Sequence, residues 1–185
     1  MEVIFMARST ALHRGAGHHK AIELRKGAVV PIRGSLRDIK PDTSPELNLE
    51  RFHELEFKAF NNRDWELYRK ICAPDVIITY PDGRRTVGVE ESIKDLKDMF
   101  SAFPDFKIIE HPVRIGSGEW TAVTETVTAT FSQPMLNPDG SSIPPTGKSV
   151  KMESCTVARW KDGRLVEEQL FWDSREWMKQ IGLAK

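Results

Sequence analysis

Apolar residues recur along this chain at two spacings, and the change from one to the other divides it. Over residues 44–100 they fall three and four apart. Leu49, Phe52, Leu55, Ala59 and Phe60 make one stripe, and Val89, Ile93, Leu96 and Phe100 make another with charges opposite. That period is helical. From Phe106 onward the period drops toward two, as where Val123, Glu125, Val127, Ala129 and Phe131 alternate with threonines. Such alternation marks strands with one buried face.

Local signals set the limits of these elements. Ser44-Pro45-Glu46 combines a serine N-cap, a proline at the first helical position and an acid in the first turn. Asn61-Asn62-Arg63 ends that helix, and Asp64 caps a shorter one carrying Trp65, Tyr68 and Ile71, which Pro74 terminates. Strands are predicted over 76–80, over 106–115 with an interruption at His111-Pro112, and over 120–131, 150–160 and 165–173. The last two flank Lys161-Asp162-Gly163-Arg164, and Asp-Gly between β-rich runs is the strongest short-range hairpin signal. Unbroken alternation along the final strand puts Leu165, Glu167, Gln169, Phe171 and Asp173 on one face. Val166, Glu168, Leu170 and Trp172 take the other.

Helices first and a strand meander afterwards mean α+β, because a parallel sheet needs helical crossovers between its strands. The expectation is a curved antiparallel sheet wrapped over N-terminal helices, a cone whose mouth admits a ligand. The domain boundary is expected at 43/44, leaving 1–43 as a basic, partly irregular arm in which Val29-Val30-Pro31-Ile32 suits a short edge strand. Residues 132–148, rich in proline and glycine, read either as a lid or as a stiff connector.

Three features carry a resemblance. They are Lys161-Asp162-Gly163-Arg164 leading into Leu165-Val166-Glu167, Trp172-Asp173 before a short helix ending Gln180-Ile181-Gly182-Leu183, and Pro144-Pro145-Thr146-Gly147-Lys148 ahead of a strand. Over residues 46–183 the chain resembles the SnoaL-like polyketide cyclases of the nuclear-transport-factor-2-like superfamily. The resemblance implies an α+β cone holding a small apolar, carbonyl-bearing molecule, and a cofactor-independent cyclase or isomerase reaction. It also implies a general acid/base at the aspartate that ends the last strand, here Asp173. The chain departs from many relatives at Ala129-Thr130-Phe131, where they carry Gly-Thr-His, and at Glu125 and Glu153, where arginine is common.

The residues themselves keep two readings of Asp173 open. A carboxylate lifted in pKa by an apolar cavity suits removal of a proton next to a carbonyl. Asp173 with Glu176 three residues on also has capping-box spacing. Glu125 interrupts an apolar face and needs a partner or a proton, with Arg159 available for a salt bridge. Glu153 shares a face with Cys155, Val157 and Arg159. Convergence of Glu125, Glu153 and Asp173 would raise at least one pKa and supply a general acid near neutrality. Tyr80, Phe131, Cys155, Gln169, Phe171 and His53 are the expected pocket wall.

Composition narrows the class. Acids and bases number 27 each, so no global field steers the chain toward nucleic acid or a membrane. Only Cys72 and Cys155 are present, which makes no disulfide framework, and a cytoplasmic setting is expected. No apolar run reaches the roughly 18 residues of a membrane span, and the start of the chain does not read as a secretory signal. Histidines are scattered without metal-site spacing, so no metal is expected. A homodimer through an uncovered sheet face is expected. Two further readings stay open: a non-catalytic binder of a small apolar molecule, and a dimeric interaction module.

Overall fold

The computed structural model describes residues 44–136 and 141–184. The expected arm, with its edge strand and His18-His19, lies outside the described residues, as does part of the proline-rich loop.

Helix α1 (Pro45–Glu54) begins as its sequence dictates, with the Ser44 hydroxyl accepting from the Leu47 amide. It runs directly into a π-helical turn, Leu55–Phe60. One extra residue per turn rotates the later side chains inward, so Leu55, Glu56 and Ala59 are all buried. Helix α2 (Trp65–Ile71) is capped by Asp64, whose carboxylate accepts from the Leu67 amide. Its end passes straight into strand β1 (Cys72–Thr79), followed by β2 (Arg85–Val87) and helix α3 (Val89–Ala102). The expected strand over 106–115 is two strands, β3 (Lys107–Glu110) and β4 (Arg114–Ser117), parted at His111-Pro112, where proline cannot donate to a ladder. Strands β5 (Trp120–Thr130), β8 (Ser149–Lys161) and β9 (Arg164–Phe171) form the long meander, with a small hairpin of β6 (Met135–Leu136) and β7 (Ser142–Ile143) between β5 and β8. Helix α4 (Ser174–Gln180) closes the described chain.

The expected α+β arrangement is present. Seven strands form one open, curved sheet in the order β2-β1-β9-β8-β5-β3, with β4 also paired to β5. Every pairing is antiparallel except β1 with β9, which is parallel because helices and the meander separate them in sequence. The Asp-Gly hairpin forms as expected, with Asp162 and Gly163 both at positive φ, the conformation a two-residue primed turn requires.

Two apolar clusters fill the concave side. One joins Phe52, Leu55, Tyr68, Ile78, Ile93, Trp160 and Leu165. The other gathers Phe103, Phe131, Val150 and Ile181 at the α4 end. The Trp160 indole donates to Thr121 Oγ1 at 3.0 Å, so the largest buried ring leaves no bare donor.

The alternation expected along β9 fails at one point. Trp160 pairs with Leu165 and Arg159 with Glu167, which leaves Val166 as an extra residue on β9. This bulge resets the phase. Leu165 remains inside, but Glu168 and Leu170 join it there, while Glu167, Gln169 and Phe171 turn outward with Cys155, the partner of Phe171.

Candidate active site

Three glutamates meet on the concave side, each brought by a different element: Glu56 by the π-helical turn, Glu125 by β5 and Glu168 by β9. All are buried. Glu125 is 2% exposed; its Oε2 accepts from Ser154 Oγ at 2.7 Å, and its Oε1 is buried without a partner among the described residues. Burial raises the Glu125 pKa, and hydrogen bonds from Ser154 and Thr156, which favour the charged form, limit the rise. No hydrogen bond reaches Glu168 among the described residues. Its pKa is pushed up to about 8, first by burial and then by the charge of Glu125. Glu56 is raised well above the usual range by burial and then by Glu125 and Glu168. Two carboxyls in one apolar space therefore titrate apart, with Glu125 favoured to ionise and Glu168 to hold its proton near neutrality.

Polar neighbours extend the cluster. Tyr68 Oη and Ser92 Oγ lie 2.9 Å apart, and burial holds the phenol and the nearby Cys72 thiol neutral. His111 Nε2 contacts Glu56 Oε2. Both cysteines are free, and no group of three metal-ligating side chains occurs among the described residues.

The expected site residues are distributed differently. Asp173 is exposed, and its Oδ1 accepts from the Arg175 and Glu176 amides at 2.9 Å, the arrangement of a helix N-cap. Glu153 is exposed on the convex side, opposite Thr126. Of the three acids expected to converge, only Glu125 faces the interior. Arg159 does not neutralise it; its guanidinium reaches Glu167 at 3.2 Å. Phe131 is fully buried and stacks on Phe103 at 5.3 Å, as core. Gln169, Phe171 and Cys155 lie on the convex side of the sheet. Tyr80 stands at the end of β1, donating to Asp95 at 3.2 Å, with the Arg84 guanidinium 3.8 Å over its ring. His53 is exposed and stacks on Phe57 at the rim of a hollow of about 360 Å³ shared with Arg51 and Arg114.

Glu56 and Glu168 were not singled out by the sequence pattern. Glu168 sits in a run, Glu167-Glu168, whose phase the Val166 bulge decides, and Glu56 lies where helical spacing gives way to a π turn.

A family model described as SnoaL-like polyketide cyclase matches residues 52–181. The chain is similar to a solved structure from Jannaschia sp. CCS1, provisionally described as a SnoaL-like polyketide cyclase. Identity is 22%, coverage 78% of this chain and 99% of that one, and TM-score 0.67. It is similar to wild-type IdmH of Streptomyces antibioticus, provisionally described as a polyketide cyclase, at 25% identity, 73% and 98% coverage and TM-score 0.61. AclR of Streptomyces galilaeus, provisionally described as a hydroxylase, is similar at 23% identity, 77% and 100% coverage and TM-score 0.62. No curated protein matches the chain.

Proposed function

The chain belongs to the SnoaL-like polyketide cyclase family, and from that premise we propose that it is a cofactor-independent acid/base enzyme of the cyclase and isomerase type, acting on a small apolar carbonyl compound. Glu125 is the base and Glu168 the acid. The observation that supports this most directly is Glu125 itself: Ser154 holds one oxygen, the other is bare, and a second carboxyl inclined to keep its proton shares the same space.

The bare Oε1 takes a proton from the carbon next to a carbonyl. The C–H electron pair moves into the new C=C bond, and the Glu168 proton passes to the carbonyl oxygen. When the resulting enol closes on a second carbonyl of the same molecule, a C–C bond forms. The enol proton then returns to Glu168, and the oxygen of the attacked carbonyl takes the proton held by Glu125. Each acid ends as it began. Leu96, Leu170, Met99 and Met152 are only partly buried against the two clusters, and flexible side chains of this kind let the interior adapt to an apolar guest. The same reading includes a homodimer through the convex sheet face, where Ile115, Trp120 and Phe171 are exposed.

The test is deuterium uptake at the α-carbon of aryl ketones and cyclic diketones in heavy water, followed by NMR. Wild type is expected to accelerate uptake, and Glu125→Gln to lose about a hundredfold or more. A protein that binds these ketones without accelerating uptake is a binder of the same fold, and the enzymatic reading fails.

A further inference from the structure

We propose that Glu56 and His111 form a proton relay connecting the interior acids with solvent at His53. The inference deepens the acid/base reading above and rests on it.

The two side chains form a contacting pair, with only 3% of the His111 side chain and 10% of that of Glu56 exposed. Nε2 of His111 faces Glu56, whereas Nδ1 is buried and has no hydrogen-bond partner among the described residues. A histidine retained for structure ordinarily has both nitrogens satisfied, the second partner fixing its tautomer. Here Nδ1, the nitrogen that does not face Glu56, is left open, as a group that passes protons on requires. Phe52 and Phe57 flank the imidazole at 5.9 and 4.8 Å between centroids and shield its sides. The His53 ring stands edge-on to it, its centroid 5.5 Å away at 86°, so the two imidazoles are in contact and a small ring movement brings their nitrogens together. His53 is exposed at the hollow beside α1. Inward, Glu56 feels the charges of Glu125 and Glu168. Glu125 and Glu168 couple to Glu56 through their charges, Glu56 contacts His111, and His111 contacts His53.

The charged and titratable groups facing His111 are Glu56 from the π turn, His53 from α1 and Arg114 from β4. Glu110, though close in sequence, instead accepts from Thr126. Burial, then His53 and Arg114, lower the His111 pKa to about 4. With Glu56 raised, the resting pair is neutral and carries one movable proton, which Glu56 can pass inward or hand to Nε2 as Nδ1 releases another outward.

The consequence is specific. After Glu125 takes an α-proton, the relay exchanges it with solvent; with the relay cut, the same proton returns to carbon. A β,γ-unsaturated ketone such as cyclohex-3-enone in heavy water separates the two events, because isomerisation to the conjugated ketone counts proton removals and deuterium at the γ-carbon counts exchanges. His111→Gln keeps a hydrogen bond but carries no proton through. It is expected to isomerise the ketone at close to the wild-type rate while deuterium uptake at the γ-carbon falls about a hundredfold. Free imidazole should restore uptake in His111→Gly. His53→Gln, an exposed change that leaves the fold intact, should lower uptake in the same direction. Equal losses of isomerisation and uptake, or uptake unchanged in His111→Gln, overturn the relay.

If wild type acts on no ketone, the catalytic reading fails by itself, and the relay is then read from proton exchange at the carbon-13-labelled carboxyls of Glu125 and Glu168. Slower exchange in His111→Gln and His53→Gln supports it, and unchanged exchange overturns it.

Discussion

Ser154 donates to Oε2 of Glu125 at 2.7 Å across the β5–β8 pair, and this hydrogen bond, with those from Thr156, favours the ionised form of Glu125. It favours the carboxylate and opposes the effect of burial. Ser154→Ala removes the donor, so the Glu125 pKa rises. In the proposed reaction the base must be ionised and the acid protonated. The rising limb of the pH-rate profile should therefore shift to higher pH, while the falling limb, set by Glu168 at about 8, stays in place. The bell narrows. A Ser154→Ala profile that superimposes on wild type would separate Glu125 from the chemistry.

Glu168 links the site to stability. Its pKa is about 8 folded against 4.5 for the free group, so the folded state holds a proton that the unfolded chain has released between those values. Stability is fullest below about 4.5, falls as pH rises toward 8, and levels off above it, at roughly 1.4 kcal/mol per pH unit as an upper limit. Glu168→Gln keeps the shape without the titration. Its denaturation midpoint, measured across that range, should be flatter with pH than wild type and higher on the alkaline side.

How these acids come together explains what the sequence could disclose. Caps at Ser44 and Asp64, the Asp162-Gly163 turn and the shift from helical to strand spacing are local, and local signals read true. The inward position of Glu125 was also legible, because it stands on an otherwise apolar face. The acids around it were not. The extra residue at Val166 reverses the phase of everything after it on β9, bringing Glu168 inside and sending Gln169 and Phe171 out. The π turn at Leu55–Phe60 likewise delivers Glu56 to the interior. Both are insertions of single residues against a partner or a helical ladder, and neither leaves a composition or spacing mark.

Asp173 bears on α4 through the two hydrogen bonds its carboxylate accepts from the Arg175 and Glu176 amides, and α4 in turn packs Trp177 and Met178 against the second cluster. Asp173→Ala should lower stability by about 1 kcal/mol, whereas Asp173→Asn, equally good at this position, should change it little. Under the proposed mechanism neither change moves the pH-rate profile. Chemical denaturation and ketone exchange on the same three proteins check this, and a large loss of exchange in Asp173→Asn with stability intact would return the proton chemistry to Asp173.

Gly163 and Arg51 are coupled across the top of the hairpin. Gly163 adopts φ +72°, a region open to glycine and strained for other residues, and a β-carbon there would run into the Arg51 guanidinium. Arg51 Nη1 is buried without a hydrogen-bond partner among the described residues, so no polar bond from them holds that nitrogen against displacement. Gly163→Ala therefore carries two penalties, backbone strain and the collision, together about 1–2 kcal/mol. Arg51→Ala removes the collision alone. In a double-mutant cycle the penalties should not add: Gly163→Ala should cost less in the Arg51→Ala background by roughly 0.5 kcal/mol or more. Strict additivity by urea denaturation would mean that the guanidinium swings clear at no cost, leaving backbone conformation as the whole reason for glycine in this turn.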